Sequence, residues 1–586
     1  MATEYSRLPN HAQAAAALIK SSAVASSPPN PGPQRQTLAD GVKSQPSSPA
    51  RSRWTRLLGA IHPSHVHSIF SATVILMAST FLSRIMGLVR LKYIAWLFGS
   101  GMQADALTAA FYLPDMISYF LVGGAASITF VTILTRYREE GREPEGERSL
   151  SVILSTMFLV LGAATLLAEI LAPWLVHLLV LGFDAQKTAL CVHLTRIVLP
   201  AQLCFLAGGI FGAVLIVRKQ FSVQAFVAII YGFGPIVGGL LLVKRMGVSS
   251  LALGTVAGAI LGPFLLNYFF AYRAGTRYRF ILDWHDAGLR EWVRLSLPLM
   301  AGVSLVTADN WIIGEFASNT SGAIALMNYA KQFFSAPMSI LAQAAGAASM
   351  PFFASLWTRD RRYEFATGVA DSVSRVAALG LLCASGMVAL GWPGIDLVFT
   401  GGRFSAADAR ECSLYFAIFS LSMFLWAAQA IYARAFYAAG NTFVPMVAST
   451  IVTLVSLPIY YSLYHWRGAT GLALASDLGI LLQTLTIAVL LHQRRMVSLA
   501  SLDFAEIGRC LLAALAGGGG AWLLAWGLAA FAHHLPAVAA LRHARSLTDA
   551  AILLAGVIVW TLIAGWTLQK SGSALPRVAL RRLGLI

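Results

Sequence analysis

The amino-acid sequence predicts an all-α polytopic membrane protein, and two observations support this fold class. First, 57% of its 586 residues are hydrophobic, only 12% are charged, and the mean hydropathy is +0.68. Soluble globular proteins carry about 25% charged residues, so a soluble enzyme is excluded. Second, the apolar residues form long blocks, many of which exceed the roughly 20 residues that a helix needs to cross a bilayer.

Fourteen such blocks follow one another along the chain, separated by short polar or glycine- and proline-containing turns. Because the connections are short, we expect the protein to act within the bilayer. Before the first block, residues 1–67 are rich in Ser, Pro, Gln and Asn and are predicted to be a disordered cytoplasmic tail. The predicted spans are residues 69–97, 104–135, 150–181, 187–217, 221–243, 248–272, 287–317, 321–357, 364–390, 406–437, 442–464, 469–492, 505–532 and 547–569.

Lysine and arginine are unevenly distributed between these connections. The segments 136–148 and 359–362 each hold several arginines, whereas the turn 99–103 holds none. Cytoplasmic loops of membrane proteins collect Lys and Arg. The bias predicts that both termini, including the C-terminal tail 571–586, face the cytoplasm.

Short motifs recur in the sequence at offsets of 218–222 residues. The period contains six predicted spans, so both copies have the same orientation. We therefore predict two six-helix lobes, residues 68–273 and 286–493, followed by two further helices within 504–570. Two-lobed repeats are typical of alternating-access transporters, which bind substrate between the repeats near the bilayer midplane. The recurring pairs are Phe98-Gly99-Ser100 with Phe316-Ala317-Ser318, Gly124-Ala125-Ala126-Ser127 with Gly346-Ala347-Ala348-Ser349, and Gly247 to Leu253 with Gly468 to Leu474.

The sequence contains none of the motifs that indicate catalysis or nucleotide hydrolysis. It has no P-loop for ATP phosphates, no His-Glu-x-x-His zinc motif and no nucleophile elbow. Its five cysteines occur singly, which indicates neither a zinc site nor a disulfide framework. We expect a transporter without a cofactor or metal, driven by an ion gradient or the membrane potential.

Charged residues inside the apolar blocks are the candidates for a functional site, because such charges are costly in a membrane. Arg84 lies about 15 residues into the first span, roughly 22 Å from its start. Arg90 lies six residues further on, and Gly87 between them permits a bend. A guanidinium group can bind phosphate oxygens in a bidentate manner. We predict substrate binding by Arg84; for Arg90, a structural ion pair with a buried acid is an equal alternative.

Two further cations are predicted to contact substrate. Lys331 lies in the eighth span, on a face expected to point toward the opposite lobe, and Asp309 in the seventh span is its expected counter-ion. Arg196 precedes Pro200 in the fourth span, where a helix kink is the alternative explanation.

Acidic residues in the spans are candidates for gating or ion pairing. Asp105 begins the second span, where a carboxylate either stabilises the positive end of the helix or takes part in gating. Asp115 follows Pro114 in the same span and is predicted to line a cavity, with packing at a helix kink as the alternative. Weaker candidates are Glu169 and Asp477.

Several of these residues belong to a set of motifs that resembles the MurJ/MviN family of lipid II flippases. The resemblance covers about residues 69–570, in order and with few gaps. The motifs are Ser83-Arg84-Ile85-Met86-Gly87-Leu88-Val89-Arg90, Phe98-Gly99-Ser100-Gly101, Ala104-Asp105-Ala106, Leu194-Thr195-Arg196 with Pro200, Gly401-Gly402-Arg403-Phe404 with Asp408, Phe436-Tyr437-Ala438, Asn441-Thr442 with Pro445, and Gly471-Leu472-Ala473-Leu474-Ala475.

The resemblance implies a 14-helix fold of the multidrug/oligosaccharidyl-lipid/polysaccharide exporter superfamily, in the bacterial cytoplasmic membrane. The two lobes would surround a cationic cavity, and the last two helices would form a groove for the polyprenyl tail. The substrate would be undecaprenyl-pyrophosphate carrying the peptidoglycan disaccharide-peptide. The functional charges of the family carry over to Arg84, Arg90 and Asp105. Expected partners are the lipid-linked glycan, membrane lipids and the cell-wall synthesis machinery, with no nucleic acid.

The sequence departs from the family at two places in the expected cavity. Where the family commonly has an Arg and then a Glu-Gly pair in the second helix, this chain has Ser118-Tyr119 and Gly123-Gly124. In the eighth helix, the family's Tyr-Ala-x-Arg reads Tyr329-Ala330-Lys331-Gln332, which moves the cation about 100° around the helix.

These departures keep two other functions open. One is an exporter of another polyprenyl-linked oligosaccharide or of a small amphiphile. The more remote one is a membrane-embedded polyprenyl-dependent glycosyltransferase. Such an enzyme would need acidic residues in a sizeable external loop, but the turn 99–103 is short and has no acid.

Overall fold

The computed structural model describes residues 69–122, 130, 133–138, 140–218, 220, 222–301, 304–533 and 542–576. The described residues are almost entirely helical, which confirms the all-α prediction for this part of the chain. Their only extended pairing is an isolated bridge between Gly401 and Phe404. The predicted tail 1–67, the repeat motif 124–127 and most of the C-terminal tail lie outside the described residues.

The first half of the chain, up to residue 273, contributes helices α1 to α9 and two π-helical turns, Ser118–Val122 and Ile260–Leu266. A further helical turn covers residues 133–138. The nine helices are α1 Ile69–Phe98, α2 Met102–Ala109, α3 Tyr112–Ile117, α4 Glu143–Leu179, α5 Ala185–Val198, α6 Ala201–Val217, α7 Ser222–Met246, α8 Ser249–Ala259 and α9 Asn267–Arg273.

The rest of the chain contributes ten helices to the part that the structure describes. They are α10 Ala287–Ala301, α11 Leu305–Ala317, α12 Ala323–Thr358, α13 Arg362–Phe399, α14 Ala406–Leu421, α15 Met423–Ala438, α16 Phe443–Arg467, α17 Ala469–Gln493, α18 Phe504–His533 and α19 Arg542–Lys570.

Within the described ranges, nine helices are long and apolar enough to cross a membrane. The number rises to ten if α14 and α15, which meet at a 43° bend, form one span. The other four predicted spans are helical over their described parts, as α1, as α2 with α3, as α10 with α11, and as α12. The total of fourteen spans stays a prediction.

Helix boundaries recur at the offset that the sequence repeat predicts. The first helix α1 ends at Phe98 and α11 ends at Ala317, one residue from the repeat-equivalent position. Gly247 joins α7 to α8 and Gly468 joins α16 to α17, and both have positive φ, 54° and 60°. Left-handed backbone of this kind favours glycine, which explains why both copies keep it. The grouping of the helices into two lobes remains a prediction.

Glycines bring α7 and α8 into direct backbone contact. A Cβ added to Gly234 would lie 2.3 Å from the carbonyl oxygen of Gly254, and one added to Gly238 would lie 2.5 Å from that of Ser250. Membrane helices lack a hydrophobic drive to associate and rely on such close approach. These two helices form one wall of the cavity described below.

The segment between α9 and α10 is held against the start of α4. The backbone N–H of Arg279 donates to Ser151 Oγ and that of Ile281 to Ser155 Oγ, each at 3.2 Å. Arg148 pairs with Asp283 at 3.1 Å. The backbone N–H of His285 and this guanidinium hold the pKa of Asp283 below its usual range. The contacts fix where the second half of the chain enters the helix bundle.

Candidate functional site

A cavity of about 670 Å³ lies between helices of the two halves of the chain. Its wall from the first half is formed by α1 to α3, α7 and α8, and its wall from the second half by α11 and α12. Both polar side chains and aromatic rings line this space. Small-molecule sites likewise use a few placed polar groups to orient a ligand. We call it the central cavity.

Arg84 and Arg90 both line cavities on α1. Arg90 borders the central cavity and also a neighbouring space of about 430 Å³, which Arg84 lines together with Gln332. Arg90 interacts electrostatically with Asp115 and faces Tyr231 across the central cavity. Arg84 has no ion-pair or hydrogen-bond partner among the described residues. Arg90 therefore has interaction partners within the protein, whereas Arg84 is available to a ligand.

Lys331 lines the central cavity and forms an ion pair with a buried carboxylate. Asp309, on α11, is 3% exposed and accepts hydrogen bonds from Lys331, from the Tyr460 hydroxyl and from Ser476 Oγ, the last at 2.9 Å. Lys331 Nζ also donates to Asn310 Oδ1 at 3.0 Å. The expected counter-ion is therefore in place, and the ammonium group faces the cavity as one half of an ion pair.

Asp477 lies on α17, close enough to both Asp309 and Lys331 to interact with them electrostatically. Its Oδ1 is buried without a hydrogen-bond partner among the described residues. An unpaired buried carboxylate oxygen is costly, so Asp477 stays a candidate for a functional residue behind the Lys331 wall of the cavity.

Arg196 lies away from both of these cavities. Its side chain is 48% exposed, and its Nε lies 4.0 Å from Glu169 Oε2 and donates to the Glu169 carbonyl oxygen at 3.2 Å. The pair joins α5 to α4 on the outside of the helix bundle. The predicted contact of Arg196 with substrate stays a prediction, without support from its position.

Asp105 is fully buried and binds the start of another helix. Its carboxylate pairs with Lys187 Nζ at 2.6 Å and accepts the backbone N–H groups of Gly322 and Ala325, both at 2.8 Å. These two N–H groups begin α12, which has no side-chain cap of its own. A carboxylate satisfies such free N–H groups and is favoured by the helix dipole. Asp105 therefore acts on α12, and not only on its own helix as the sequence suggested.

Further contacts close the bundle at the same end. Ser100 Oγ donates to Asp408 Oδ1 at 2.5 Å, and the Tyr329 hydroxyl donates to the Gly99 carbonyl at 3.0 Å. The backbone N–H of Arg403 donates to the carbonyl of Trp96 at 2.9 Å. These bonds join α1 and α2 to α12 and to the turn before α14. We call this region, with the Asp105 contacts, the closed end.

Sequence reasoning missed Lys187 as a member of the site. It lies in the first turn of α5, where a cation is unfavourable beside the positive helix end. Asp184 caps that helix by accepting the Lys187 backbone N–H at 2.8 Å. A lysine in this unfavourable position indicates that its charge is paired with an acid elsewhere in the protein.

Comparisons with known proteins agree on the fold and the family. A family model described as lipid II flippase MurJ matches residues 94–538. A probable lipid II flippase MurJ of Vibrio cholerae is 25% identical over 428 residues, which cover 71% of this chain and 81% of the relative. The corresponding protein of Haemophilus influenzae is 26% identical over 480 residues, 76% of this chain and 90% of the relative.

Solved structures with the same fold include transporters of two kinds. A lipid II flippase MurJ in an inward closed conformation superimposes with a TM-score of 0.68 at 19% identity, covering 85% of this chain and 99% of the other. An inward-facing multidrug resistance MATE family transporter of the MOP superfamily gives a TM-score of 0.60 at 14% identity, covering 71% and 98%.

The fold is thus that of a multi-pass membrane protein, with a cavity between helices of the two halves of the chain. Because the family model spans most of the chain, the protein belongs to the family of the lipid II flippase MurJ.

Proposed function

We propose that this protein moves lipid II, the undecaprenyl-pyrophosphate-linked peptidoglycan precursor, across the bacterial cytoplasmic membrane by alternating access. Two lobes, residues 68–273 and 286–493, would rock about the central cavity, and helices α18 and α19 would hold the lipid tail. The observation that carries the proposal is Arg84, a cation without a partner among the described residues, on the wall of a cavity in a chain of this family.

The chemistry of the substrate explains why such a cation is needed. A pyrophosphate headgroup must cross a low-dielectric layer, and the idealised cost of moving one ion into that environment is on the order of 20 kcal/mol. A fixed guanidinium group offsets part of this cost through charge-assisted bidentate hydrogen bonds. Arg84 can make them without first breaking an ion pair, whereas Arg90 and Lys331 must share their charge with Asp115 and Asp309.

The closed end supplies the second element of alternating access. The distribution of Lys and Arg assigns this end to the external side of the membrane. The described state would then present its cavity toward the cytoplasm, with external release blocked by the contacts of Asp105 and Asp408. Release requires these contacts to break while the cytoplasmic side closes.

Complementation tests the transport function. We expect the full chain to sustain growth of a bacterium depleted of its own lipid II flippase, and purified protein in proteoliposomes to move lipid II between leaflets. Failure of both, with normal insertion, would contradict the proposal. Transport of a different polyprenyl-linked glycan under the same conditions would instead support the exporter alternative.

A reversible lock tests the alternating mechanism. Ser100→Cys with Asp408→Cys, in a chain whose five native cysteines are replaced, places two thiols where a direct hydrogen bond now joins the turn after α1 to α14. Oxidation should stop flipping and reduction should restore it. Each single-cysteine variant serves as the control. Undiminished flipping by the oxidised, cross-linked protein would show that the closed end does not open during transport.

Orientation is tested by thiol accessibility in intact cells. A single cysteine at Glu140 should be protected from an impermeant reagent, and one at Thr320 should be labelled. Both positions lie in short connections, so neither change should disturb a helix. Labelling of the position 140 cysteine from outside would reverse the assignment of the closed end.

A further inference from the structure

Two aromatic side chains from the two halves of the chain meet at the central cavity. Tyr119 lies in the π-helical turn after α3, and Trp311 lies on α11. Their ring centroids are 5.8 Å apart with an interplanar angle of 81°, and both residues line the cavity. Tyr119 occupies one of the places where this chain departs from its family.

Amide side chains surround this aromatic pair. Asn310 is next to Trp311 on α11, and Asn328 and Gln332 lie one turn apart on the facing side of α12, all lining the same cavity. Asn310 gives only its Oδ1 to Lys331. The side chains of Asn328 and Gln332 and the indole N–H of Trp311 have no hydrogen-bond partner among the described residues.

This combination matches the chemistry of a sugar ring. A pyranose has an apolar face of C–H groups, which packs on an aromatic ring, and an edge of hydroxyls, which pair with amide donors and acceptors. A lipid tail would leave the amides unpaired, at a cost comparable to a lost hydrogen bond for each group. A phosphate could accept hydrogen bonds from the amides and the indole N–H, but it would gain nothing from the apolar faces of the rings.

We propose that Trp311, with Tyr119 and the neighbouring amides, forms a stacking site for a sugar ring of the lipid-linked substrate. The inference rests on the proposed flippase function and assigns the glycan to the α11 and α12 side of the cavity. The pyrophosphate then lies nearer α1, where Arg84 and Arg90 stand. In this chain, aromatic stacking supplies part of the headgroup affinity.

Binding of two lipids, one with and one without the disaccharide-peptide on the pyrophosphate, tests the site. Trp311→Leu removes the ring, Trp311→Phe keeps one, and Trp174→Leu is the matched control, because Trp174 on α4 is 63% exposed and lines neither cavity. Tyr119 is not varied because its hydroxyl accepts the backbone N–H of Ser304 at 3.4 Å. The probes are lipid II and undecaprenyl pyrophosphate.

We expect Trp311→Leu to weaken lipid II binding about 10-fold, since stacking on one aromatic ring contributes about that much. Undecaprenyl pyrophosphate should bind as it does to the wild type, and Trp311→Phe should retain most of the affinity for lipid II. Equal weakening of both lipids would show that Trp311 only packs the helices, and unchanged lipid II affinity would also overturn the site.

The two proposals fail differently in this experiment. If the wild type complements a flippase-depleted strain but Trp311→Leu binds lipid II normally, the flippase function stands and the stacking site is wrong. If the wild type binds another polyprenyl-linked glycan instead of lipid II, and Trp311→Leu loses that binding, the stacking site stands and the lipid II assignment is wrong.

Discussion

The closed end and the central cavity use the same kinds of charged side chain in opposite ways. At the closed end, the Asp105 carboxylate meets one ammonium and two backbone N–H groups, and it is fully buried. In the cavities, Arg84 meets no counter-charge among the described residues, whereas Arg90 interacts with Asp115 and Lys331 is paired with Asp309. A fully satisfied charge stabilises one conformation, whereas an unsatisfied one is available to a ligand.

The largest expected effect comes from removing the available cation. Arg84→Ala should lower the flipping rate about 100-fold, because hydrogen bonds to a charged group contribute about 1.5–3 kcal/mol each. Arg84→Lys should recover only part of the rate, since lysine keeps the charge but loses the planar fork. The measurement is flipping in proteoliposomes at matched protein levels. Normal flipping by Arg84→Ala would show that Arg84 does not bind the pyrophosphate.

The next largest effect should come from the closed end. Asp105→Asn leaves Lys187 buried without its counter-ion, and breaking a buried pair costs about 3–5 kcal/mol. Thermal unfolding in detergent should show reduced stability, and flipping should fall because the external side no longer seals. Adding Lys187→Met should restore stability but not flipping. A double variant as unstable as the single one would show that Asp105 stabilises the fold through α12 alone.

Lys331 provides an intermediate case between the two regions. Lys331→Gln should destabilise the protein, because Asp309 then keeps only the hydrogen bonds from Tyr460 and Ser476. The double variant with Asp309→Asn should recover stability. Its flipping rate decides the role: full recovery identifies a structural pair, whereas a persistent defect with lipid II supports the predicted contact of Lys331 with substrate.

The smallest effect is expected at Arg196. The pair with Glu169 is half exposed and loosely spaced, and exposed pairs contribute about 0–1 kcal/mol. Arg196→Gln should therefore leave both the unfolding temperature and the flipping rate close to those of the wild type. A loss of flipping as large as that of Arg84→Ala would restore Arg196 to the substrate site and place part of the substrate path outside the two cavities.

The helices could be predicted from the sequence because bilayer thickness and hydrophobicity act locally along the chain. The predicted span 469–492 corresponds to α17, and 442–464 corresponds to α16 with a shift of a few residues. Gly247 and Gly468 marked helix ends through a backbone conformation that other residues rarely adopt. Signals of this kind are contained in a single short segment.

The partners of the site residues could not be predicted, because they are distant in sequence. Asp105 was predicted as a candidate residue, but its hydrogen-bond donors were not. They are backbone N–H groups 217 and 220 residues away. Because every residue except proline has such a group, no sequence pattern identifies these two. Trp311 was missed because one tryptophan among fourteen is unremarkable until Tyr119 and the amides are placed around it. Only tertiary structure shows which charges are paired.

The contact between Asp105 and α12 has a consequence for sequence variation. In this contact the donors to the carboxylate are the main-chain N–H groups of Gly322 and Ala325, so substitutions other than proline leave both donors in place. Apart from proline substitutions, only the acidic partner can be lost by a single mutation. In a lineage that alters its cavity to carry a different headgroup, the side chain at position 325 can therefore vary, while position 105 is held to aspartate. Position 322 is held to glycine, because its φ is 82° and a Cβ there would lie 2.8 Å from the Ser100 carbonyl oxygen.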